Sequence, residues 1–158
     1  MIMKDKTKEN NIVRAILTRT NENGETEVLL GQRGPTKYFA GFWEHPGGKQ
    51  DEGESPTQAL IREVREETNL EIKVDSTPFS IQFAYHDIFK TNYIVQYYSA
   101  QILNLDEFIH MEKDKTSKWE WFNENNIPDP EKMLHNQCQK SIILDNPDSP
   151  YVKFLPSL

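Results

Sequence analysis

The sequence predicts a single α/β domain in which a mixed sheet lies between helices. Alternating, β-branched segments stand before and after one strongly marked helix, and a second helical segment follows near the end. The length of 158 residues suits one domain, and no linker, repeat or low-complexity segment divides it. We therefore expect residues 1–158 to form one domain, with the polar stretch 1–11 as a flexible lead-in.

The first half of the chain predicts a strand pair and a loop. Residues 12–20 alternate and are rich in β-branched side chains, residues 21–24 carry a turn signal, and residues 27–33 supply the partner strand. An irregular loop over 34–41 then leads into a short extended segment over 42–46.

A helix is predicted to begin after Ser55 and to end at about Thr68. Ser55 suits the N-cap, Pro56 suits the first helical position, and Gln58 completes a capping box. After this helix the sequence predicts two strands, over 71–85 and 91–102, joined by a turn at 86–90. A charged loop over 104–117 then leads to a short strand over 118–122. The last predicted elements are a helix over about 131–144 and an irregular tail over 145–158.

The helix carries an acidic motif at fixed spacing. Gly48 is followed after five residues by Glu54, and after seven more by the run Arg62-Glu63-Val64-Arg65-Glu66-Glu67-Thr68-Asn69-Leu70. Glu63, Glu66 and Glu67 stand at i, i+3 and i+4, so their Cβ atoms lie roughly 5–6 Å apart on one face. Three carboxylates this close repel one another, and a hard cation such as Mg²⁺, which takes oxygen ligands and shares substrate phosphates, relieves that repulsion.

The motif resembles the Nudix box, G-x5-E-x7-R-E-U-x-E-E-x-G-U, where U is aliphatic, and departs from it only at Asn69. The resemblance implies a Nudix-type α/β/α sandwich and Mg²⁺-dependent hydrolysis of a nucleoside diphosphate linked to another group, with Mn²⁺ able to substitute. Asn is second to Gly in the left-handed conformation that ends a helix, so the departure concerns the helix end and leaves the chemistry intact.

The same resemblance assigns roles to the motif residues. It implies an ion pair between Arg62 and Glu54, and metal ligation by Glu63, Glu66, Glu67 and the carbonyl of Gly47. Gly48 and Lys49, in the glycine loop, are assigned to substrate binding, because the glycine pair lets the backbone pass close to metal and phosphate.

Residues 30–33 and 41–48 resemble segments of MutT-like nucleoside triphosphate hydrolases. Within them, Arg33 either binds phosphate or forms a surface ion pair. Phe42 and Trp43, with Tyr38 and Phe39, are candidates for stacking on a base. His45 replaces an apolar residue, and it either faces the nucleotide or packs on the sheet edge.

A later segment, Met111-Glu112-Lys113 followed by Trp119-Glu120-Trp121, also resembles MutT-like proteins. In that family a glutamate from this loop reaches the metal site as a ligand or as the base. Glu112 is the candidate here and Asp114 is the alternative. Trp119 and Trp121 share one strand face and are expected in the core.

Composition restricts the partners. The net charge of −7 disfavours polynucleotide, which needs a basic surface, but permits a small nucleotide because Mg²⁺ bridges acidic protein to phosphate. There is no apolar run long enough for a membrane span. Cys138 is the only cysteine, which fits a reducing cytoplasm. A homodimer is left open.

The predicted function is Mg²⁺-dependent hydrolysis of a nucleoside triphosphate, including oxidised or noncanonical ones, to monophosphate and pyrophosphate. In this scheme a glutamate of the motif, Glu63 or Glu66, or else Glu112, is the general base. Two alternatives stand beside it. Another Nudix substrate, such as ADP-ribose, a dinucleotide polyphosphate or a capped RNA end, would use the same motif. A nucleotide sensor without turnover would not need Glu63, Glu66 and Glu67 intact.

Overall fold

The computed structural model describes residues 8–134, which form two sheets with one α-helix packed against them. The strands are β1 (Lys8–Ile16), β2 (Thr18–Thr20), β3 (Thr26–Arg33), β4 (Trp43–Glu44), β5 (Gly47–Lys49), β6 (Ile72–Val74), β7 (Ser80–His86), β8 (Thr91–Ile102) and β9 (Thr116–Phe122). The helix α1 spans Pro56–Thr68, and two short 3-10 helices span Leu105–Glu107 and Pro130–Lys132. Within these residues no helix is long and apolar enough to cross a membrane.

The first sheet is mixed and is organised by the long strand β8. β1 runs parallel to β8 along nine residue pairs, and β5 adds to the far side of β1 in antiparallel direction. β6 and β7 pair antiparallel with different parts of the other edge of β8. The second sheet is antiparallel, with β3 at its centre and β2, β4 and β9 as partners. The mixed sheet and the helix confirm the predicted α/β class.

Two predicted strands are each divided in the structure. The segment 12–20 breaks at Leu17, where the chain leaves the first sheet as β1 and enters the second as β2. The segment 71–85 breaks over residues 75–79, because Pro78 lacks a donor N–H for a ladder and the two halves pair with separate stretches of β8.

The prediction that residues 1–11 form a flexible lead-in is wrong for residues 8–11. The strand β1 begins at Lys8, and residues 8–11 pair in parallel with residues 91–94 of β8. Polar side chains do not prevent a strand whose backbone groups find a ladder.

The predicted helix 131–144 is not helical where it can be seen. Residues 130–132 form a single 3-10 turn, and Met133 then makes a parallel bridge with Trp43. The remainder of that segment, and the tail 145–158, lie outside the described residues.

Helix α1 has the predicted bounds and caps. The Ser55 hydroxyl accepts a hydrogen bond from the Gln58 backbone, and the Gln58 side chain accepts one from the Ser55 backbone, which forms the capping box. Ala59, Leu60 and Val64 are buried in a cluster that also holds Val13 of β1. Burial of each large apolar side chain contributes roughly 1.5–3 kcal/mol, so this stripe fixes the helix on the sheet.

The C-terminal end of α1 is joined to the loop that follows β8. Asn69 adopts the left-handed conformation, with φ 60°, and its side-chain amide donates to the Glu107 carbonyl at 2.9 Å. The carbonyls of Glu67 and Thr68, which have no partner further along the helix, accept from the backbone N–H groups of Met111 and Ile109. The helix end and the loop therefore hold each other in place.

The hydrogen bond from Asn69 changes what a substitution there should do. Asn69→Gly keeps the left-handed backbone but removes the donor to Glu107, so we expect a loss of roughly 0.5–1.5 kcal/mol in the free energy of unfolding. Asn69→Val should cost more, because a β-branched residue fits positive φ badly. Asn69→Asp tolerates the same backbone but replaces the donor with a carboxylate at the negative end of the helix, so it should lose at least as much stability as Asn69→Gly. Chemical denaturation of the three variants measures this; a glycine variant more stable than wild type would contradict it.

Candidate active site

A cleft of about 390 Å³ opens between the two sheets beside Ile12 and Arg14 of β1. Its wall is divided between charged groups and aromatic rings. The lining residues are Ile12, Arg14, Arg33, Lys37, Tyr38, Phe39, Glu44, Gly47, Gly48, Lys49, Glu63, Glu67, Phe89, Tyr93, Glu112, Lys115, Thr116 and Leu134. Nine of the predicted site residues are among them: Arg33, Tyr38, Phe39, Gly47, Gly48, Lys49, Glu63, Glu67 and Glu112.

The Arg62 guanidinium connects the glycine loop to the helix. It binds both carboxylate oxygens of Glu54 at 2.8 Å, which is the ion pair that the resemblance implies. Its Nη1 also donates to Glu63 at 3.1 Å and to Glu66 at 3.2 Å. The hydrogen bond from Arg62 lowers the pKa of Glu54, and the Glu54 bond in turn raises the pKa of Arg62. Arg62 thus acts as a positioning residue for three glutamates.

Glu63 lies against the backbone of Gly48. A Cβ built on Gly48 would stand 2.6 Å from the Glu63 carboxylate carbon, so only glycine leaves room for this side chain. Burial raises the pKa of Glu63, and the neighbouring Arg62 charge partly opposes that rise. Gly47 is constrained differently: its φ is 142°, and an added Cβ would strike the Val13 carbonyl.

Glu67 is buried at the junction of α1 with β5. The Gly47 backbone N–H donates to its carboxylate at 3.2 Å. Burial first, and the nearby Glu44 carboxylate second, raise the pKa of Glu67 well above its usual range, while Arg14 acts in the opposite direction. A carboxylate in this position is stabilised by any additional cation.

The floor of the cleft contains an arginine–glutamate–arginine group that the sequence analysis did not assign. Arg14 Nη2 lies 3.3 Å and Arg33 Nη1 3.0 Å from the same Glu44 oxygen, and Arg14 and Glu44 are both buried. Arg33 forms this ion pair and lines the cleft at the same time. The sequence does contain a signal for this group, because Arg14 is the one charged residue among the apolar residues of 12–16. A charge in such a segment is rarely buried without a partner, so it indicates a buried ion pair.

Aromatic rings form the outer rim of the cleft. The rings of Tyr38 and Phe89 meet edge to face with centroids 4.7 Å apart, and Phe39 and Tyr93 line the cleft beside them. Tyr38 and Phe39 were expected to offer a stacking surface. Phe89, in the turn after β7, was not expected.

Three residues predicted to contact substrate lie elsewhere. Trp43 is buried with its ring edge to face on Phe122 in the core between the sheets, and Phe42 lines a separate groove with β7. His45 is fully buried against Tyr97. The expectation that His45 faces the nucleotide is therefore wrong, and the alternative of packing in the sheet applies, although neither ring nitrogen has a hydrogen-bond partner.

The loop before β9 brings a further charge pair to the cleft. Lys115 lies 2.8 Å from Glu112, and both line the cleft. The Glu112 hydrogen bond raises the pKa of Lys115. The alternative residue, Asp114, is exposed in the adjoining turn. Lys115 is a second cleft residue that the sequence analysis did not assign.

The oxygen donors suit a hard divalent cation, although they are not arranged around one. Among residues 8–134, no three acidic, histidine or cysteine side chains already converge as a ligand set. Glu63 and Glu66 instead form ion pairs with Arg62. Glu67 is buried, and the nearby Arg14 charge only partly offsets the rise in its pKa. The space that Gly48 leaves for Glu63, together with the surplus of carboxylate over cation, fits a site for Mg²⁺ or Mn²⁺.

Comparison with known proteins identifies the family. The NUDIX domain model matches residues 10–143, so the chain belongs to the Nudix family. An 8-oxo-dGTP diphosphatase from Buchnera aphidicola subsp. Schizaphis graminum is 26% identical over 138 residues, which cover 85% of this chain and 97% of that protein. The MutT NUDIX hydrolase structure from Burkholderia pseudomallei superimposes with a TM-score of 0.67 at 23% identity, over 82% of this chain and 93% of that one.

A shorter and stronger match is local to part of the chain. The 8-oxo-dGTP diphosphatase of Proteus vulgaris is 44% identical over 45 residues, which cover 28% of this chain and 40% of that protein. The chain thus spans about two fifths of that relative's length. These matches agree with the Nudix family that the domain model identifies, and the Burkholderia neighbour is itself a MutT protein.

Gly48→Ala should remove activity and leave the fold intact. The new methyl group meets only the end of a flexible side chain, so Glu63 moves aside and the free energy of unfolding should change by less than about 1 kcal/mol. Turnover should fall on the order of 10²-fold, because a displaced carboxylate no longer acts in the transition state. Kinetics of Gly48→Ala, Glu63→Ala and the double variant check this. If Glu63 is the group affected, the double variant loses little beyond Glu63→Ala; additive losses would contradict it.

His45→Leu should stabilise the protein, increasingly so at acid pH. At neutral pH it removes two buried ring nitrogens without partners, which should contribute roughly 1–3 kcal/mol. Burial, with the Arg14 charge, lowers the pKa of His45 to about 3 in the folded state. Below about pH 6.5 this histidine is therefore protonated in the unfolded chain but remains neutral in the folded protein. The free energy of unfolding consequently decreases as the pH falls from 6.5 towards 3.

The difference in unfolding free energy between His45→Leu and wild type should accordingly widen as the pH falls from 6.5. Denaturation curves at several pH values measure this. A constant difference at every pH would mean that the pKa of His45 is the same in the folded protein and in the unfolded chain.

Proposed function

We propose that the protein hydrolyses a nucleoside triphosphate to the monophosphate and pyrophosphate with the help of Mg²⁺ or Mn²⁺. The observation that carries the proposal is that one cleft is lined by two kinds of group. Its lining includes the carboxylates of Glu63 and Glu67 and also the rings of Tyr38, Phe89 and Tyr93. Charged groups for phosphates and aromatic rings for a base match the two halves of a nucleotide.

The metal would be held by Glu63, Glu66, Glu67 and the Gly47 carbonyl, with Glu112 as a further ligand. A bound divalent cation polarises phosphoryl oxygens, neutralises the leaving pyrophosphate and lowers the pKa of a bound water. Arg62 keeps its bidentate hold on Glu54 in this arrangement and gives up the weaker contacts to Glu63 and Glu66, which are longer by 0.3 Å or more.

The protein's own groups supply orientation and proton transfer. The base is a glutamate of the motif or Glu112, and Glu112 has a geometric advantage because Lys115 fixes its carboxylate at the cleft wall. Lys115 and Lys49 line the cleft as cations for phosphate oxygens. Arg33 is anchored by Glu44 and by the Tyr38 carbonyl, so it presents a preorganised charge.

Base binding is assigned to the rim. Stacking of a base on an aromatic ring contributes roughly 1–3 kcal/mol, and it is tolerant of base identity. Tyr38 is well exposed while its ring edge is supported by Phe89, which leaves a face free for a planar ligand. Trp43 and His45 take no part in this assignment, because both are buried.

Substrate class is tested by comparing kcat/KM for common triphosphates, oxidised purine triphosphates and ADP-ribose in one buffer, with chromatography of the products. We expect a triphosphate to be preferred and to release monophosphate with pyrophosphate. A value for ADP-ribose ten times above every triphosphate would overturn the substrate class and keep the metal site. No turnover of any substrate with Mg²⁺ or Mn²⁺ would favour a nucleotide sensor.

Glu66→Gln tests the metal assignment. It keeps the shape of the side chain and removes a charge, so turnover should fall on the order of 10²-fold or more at saturating substrate. Stability without metal should change little, because Glu66 is half exposed and its contact with Arg62 is a surface pair. Glu71→Gln is the matched control, since Glu71 lies beyond the end of the helix, pairs with Arg65 and is not among the residues lining the cleft. Turnover at the wild-type rate in Glu66→Gln would contradict the assignment of Glu66 as a metal ligand.

A further inference from the structure

The groove beside β7 adjoins the cleft and shares part of its wall. It has a volume of about 390 Å³, and its lining includes Phe42, His86 and Met133. Among the described residues, Phe39 and Tyr93 alone line both the groove and the cleft. These two side chains therefore separate one cavity from the other, and we call them the shared wall.

The two members of the shared wall are held in different ways. Tyr93 belongs to β8, pairs with Asn10 of β1 and Ala84 of β7, and packs against the core between the sheets. Phe39 instead comes from the irregular loop over 34–42, and its φ is 59°. A bulky residue with positive φ is a conformational outlier, and such strain persists only where the surrounding structure imposes it.

Hydrogen bonds within the loop impose this conformation. The Arg33 backbone donates to the Phe42 carbonyl at 2.8 Å and accepts from Gly41 at 2.9 Å. The Arg33 guanidinium donates to the Tyr38 carbonyl at 2.8 Å, and the Phe42 N–H donates to the Phe39 carbonyl at 3.0 Å. The backbone on each side of Phe39 is therefore fixed, and with it the point from which the ring projects.

The ring of Phe39 is also supported by neighbouring rings. His86, at the end of β7, meets it edge to face with centroids 5.1 Å apart, and Phe42 lies 5.6 Å away. Beside this contact, Phe89 supports Tyr38 edge to face at 4.7 Å. Contacts from two segments of the chain thus keep the Phe39 ring between the cleft and the groove.

We propose that Phe39 is a specificity-determining residue, whose ring closes the cleft towards the groove and excludes nucleotides with a bulky substituent on the base. The inference rests on the proposed function, in which a base binds among Tyr38, Phe89 and Tyr93. Because the backbone and the neighbouring rings hold Phe39, its ring does not turn aside for a larger ligand. Discrimination of this kind acts through a clash with the wrong ligand as well as through contacts with the right one.

Removal of the ring should join the two cavities. Phe39→Gly takes the left-handed backbone without strain and opens the groove to the cleft, so a substituent on the base gains room beside β7. Phe39→Asn also tolerates this backbone and should give the same result. Tyr38→Ala is the matched control, because it removes an exposed ring and leaves the shared wall in place. It should weaken the binding of all bases alike.

Binding of nucleosides tests the wall without metal or turnover. Adenosine and guanosine are compared by calorimetric titration with derivatives that carry a benzyl group at carbon 8 or on the exocyclic amine. Wild type should bind at least one derivative roughly tenfold more weakly than its parent, and both Phe39 variants should remove most of that difference. Tyr38→Ala should keep the wild-type ratio. Equal binding of parents and derivatives by wild type, or an unchanged ratio in both Phe39 variants, would overturn the proposal.

The corresponding triphosphates separate this proposal from the proposed function. The ratio of kcat/KM between derivative and parent should follow the nucleoside binding ratio through the same variants. Turnover of the parent triphosphates with an unchanged ratio would overturn the role of Phe39 and keep the function. A restored nucleoside ratio without turnover of any triphosphate would do the reverse. No binding of any nucleoside to wild type would overturn base binding at the rim, and the role of Phe39 with it.

Discussion

The ion pair between Arg62 and Glu54 is the contact on which the geometry of the site depends. The two residues belong to different segments, one in the helix and one in the loop after β5, and no backbone hydrogen bond could hold their side chains in register. Two bonds of 2.8 Å give the guanidinium a fixed orientation, and its remaining nitrogen then faces Glu63 and Glu66. A lysine could not reproduce this, since a point charge lacks the planar fork.

The other half of the site rests on charges withdrawn from water. Arg14, Glu44 and Glu67 are all buried between β1, β4 and α1. The Arg14 charge stabilises both carboxylates, whereas the two carboxylates repel each other. A buried group of charges contributes little net stability to the fold, because its members lose their hydration. Its arrangement is nevertheless hard to change, because removal of one member leaves a buried charge without a partner. The cleft is therefore rigid at its floor and adaptable at its carboxylate end, where Arg62 shares its bonds.

The parts of the structure that local chemistry determines could be predicted from the sequence. Helix α1 has its expected cap at Ser55 and its expected end at Asn69, because both depend on residues within one turn. The break at Leu17 could not be predicted, since it records where the chain changes partner and not what the segment prefers, whereas Pro78 was an available signal for the break over residues 75–79. The inward direction of Trp43 was missed, and that of His45 was one of two alternatives, because β4 and β5 are too short to show alternation. Arg14 and Glu44 are thirty residues apart, and only the β1–β5 pairing brings them together.

The side chain of Asn69 makes the end of the helix and the entry to the Glu112 loop a single mechanical unit. When the last turn of α1 frays, the carbonyls of Glu67 and Thr68 release Met111 and Ile109, and the amide of Asn69 releases Glu107. The loop that delivers Glu112 is then freed in the same event. Heat inactivation of this protein would accordingly begin as partial opening at one helix terminus, while the β-sheets are still folded, and refolding of that one turn would restore the loop.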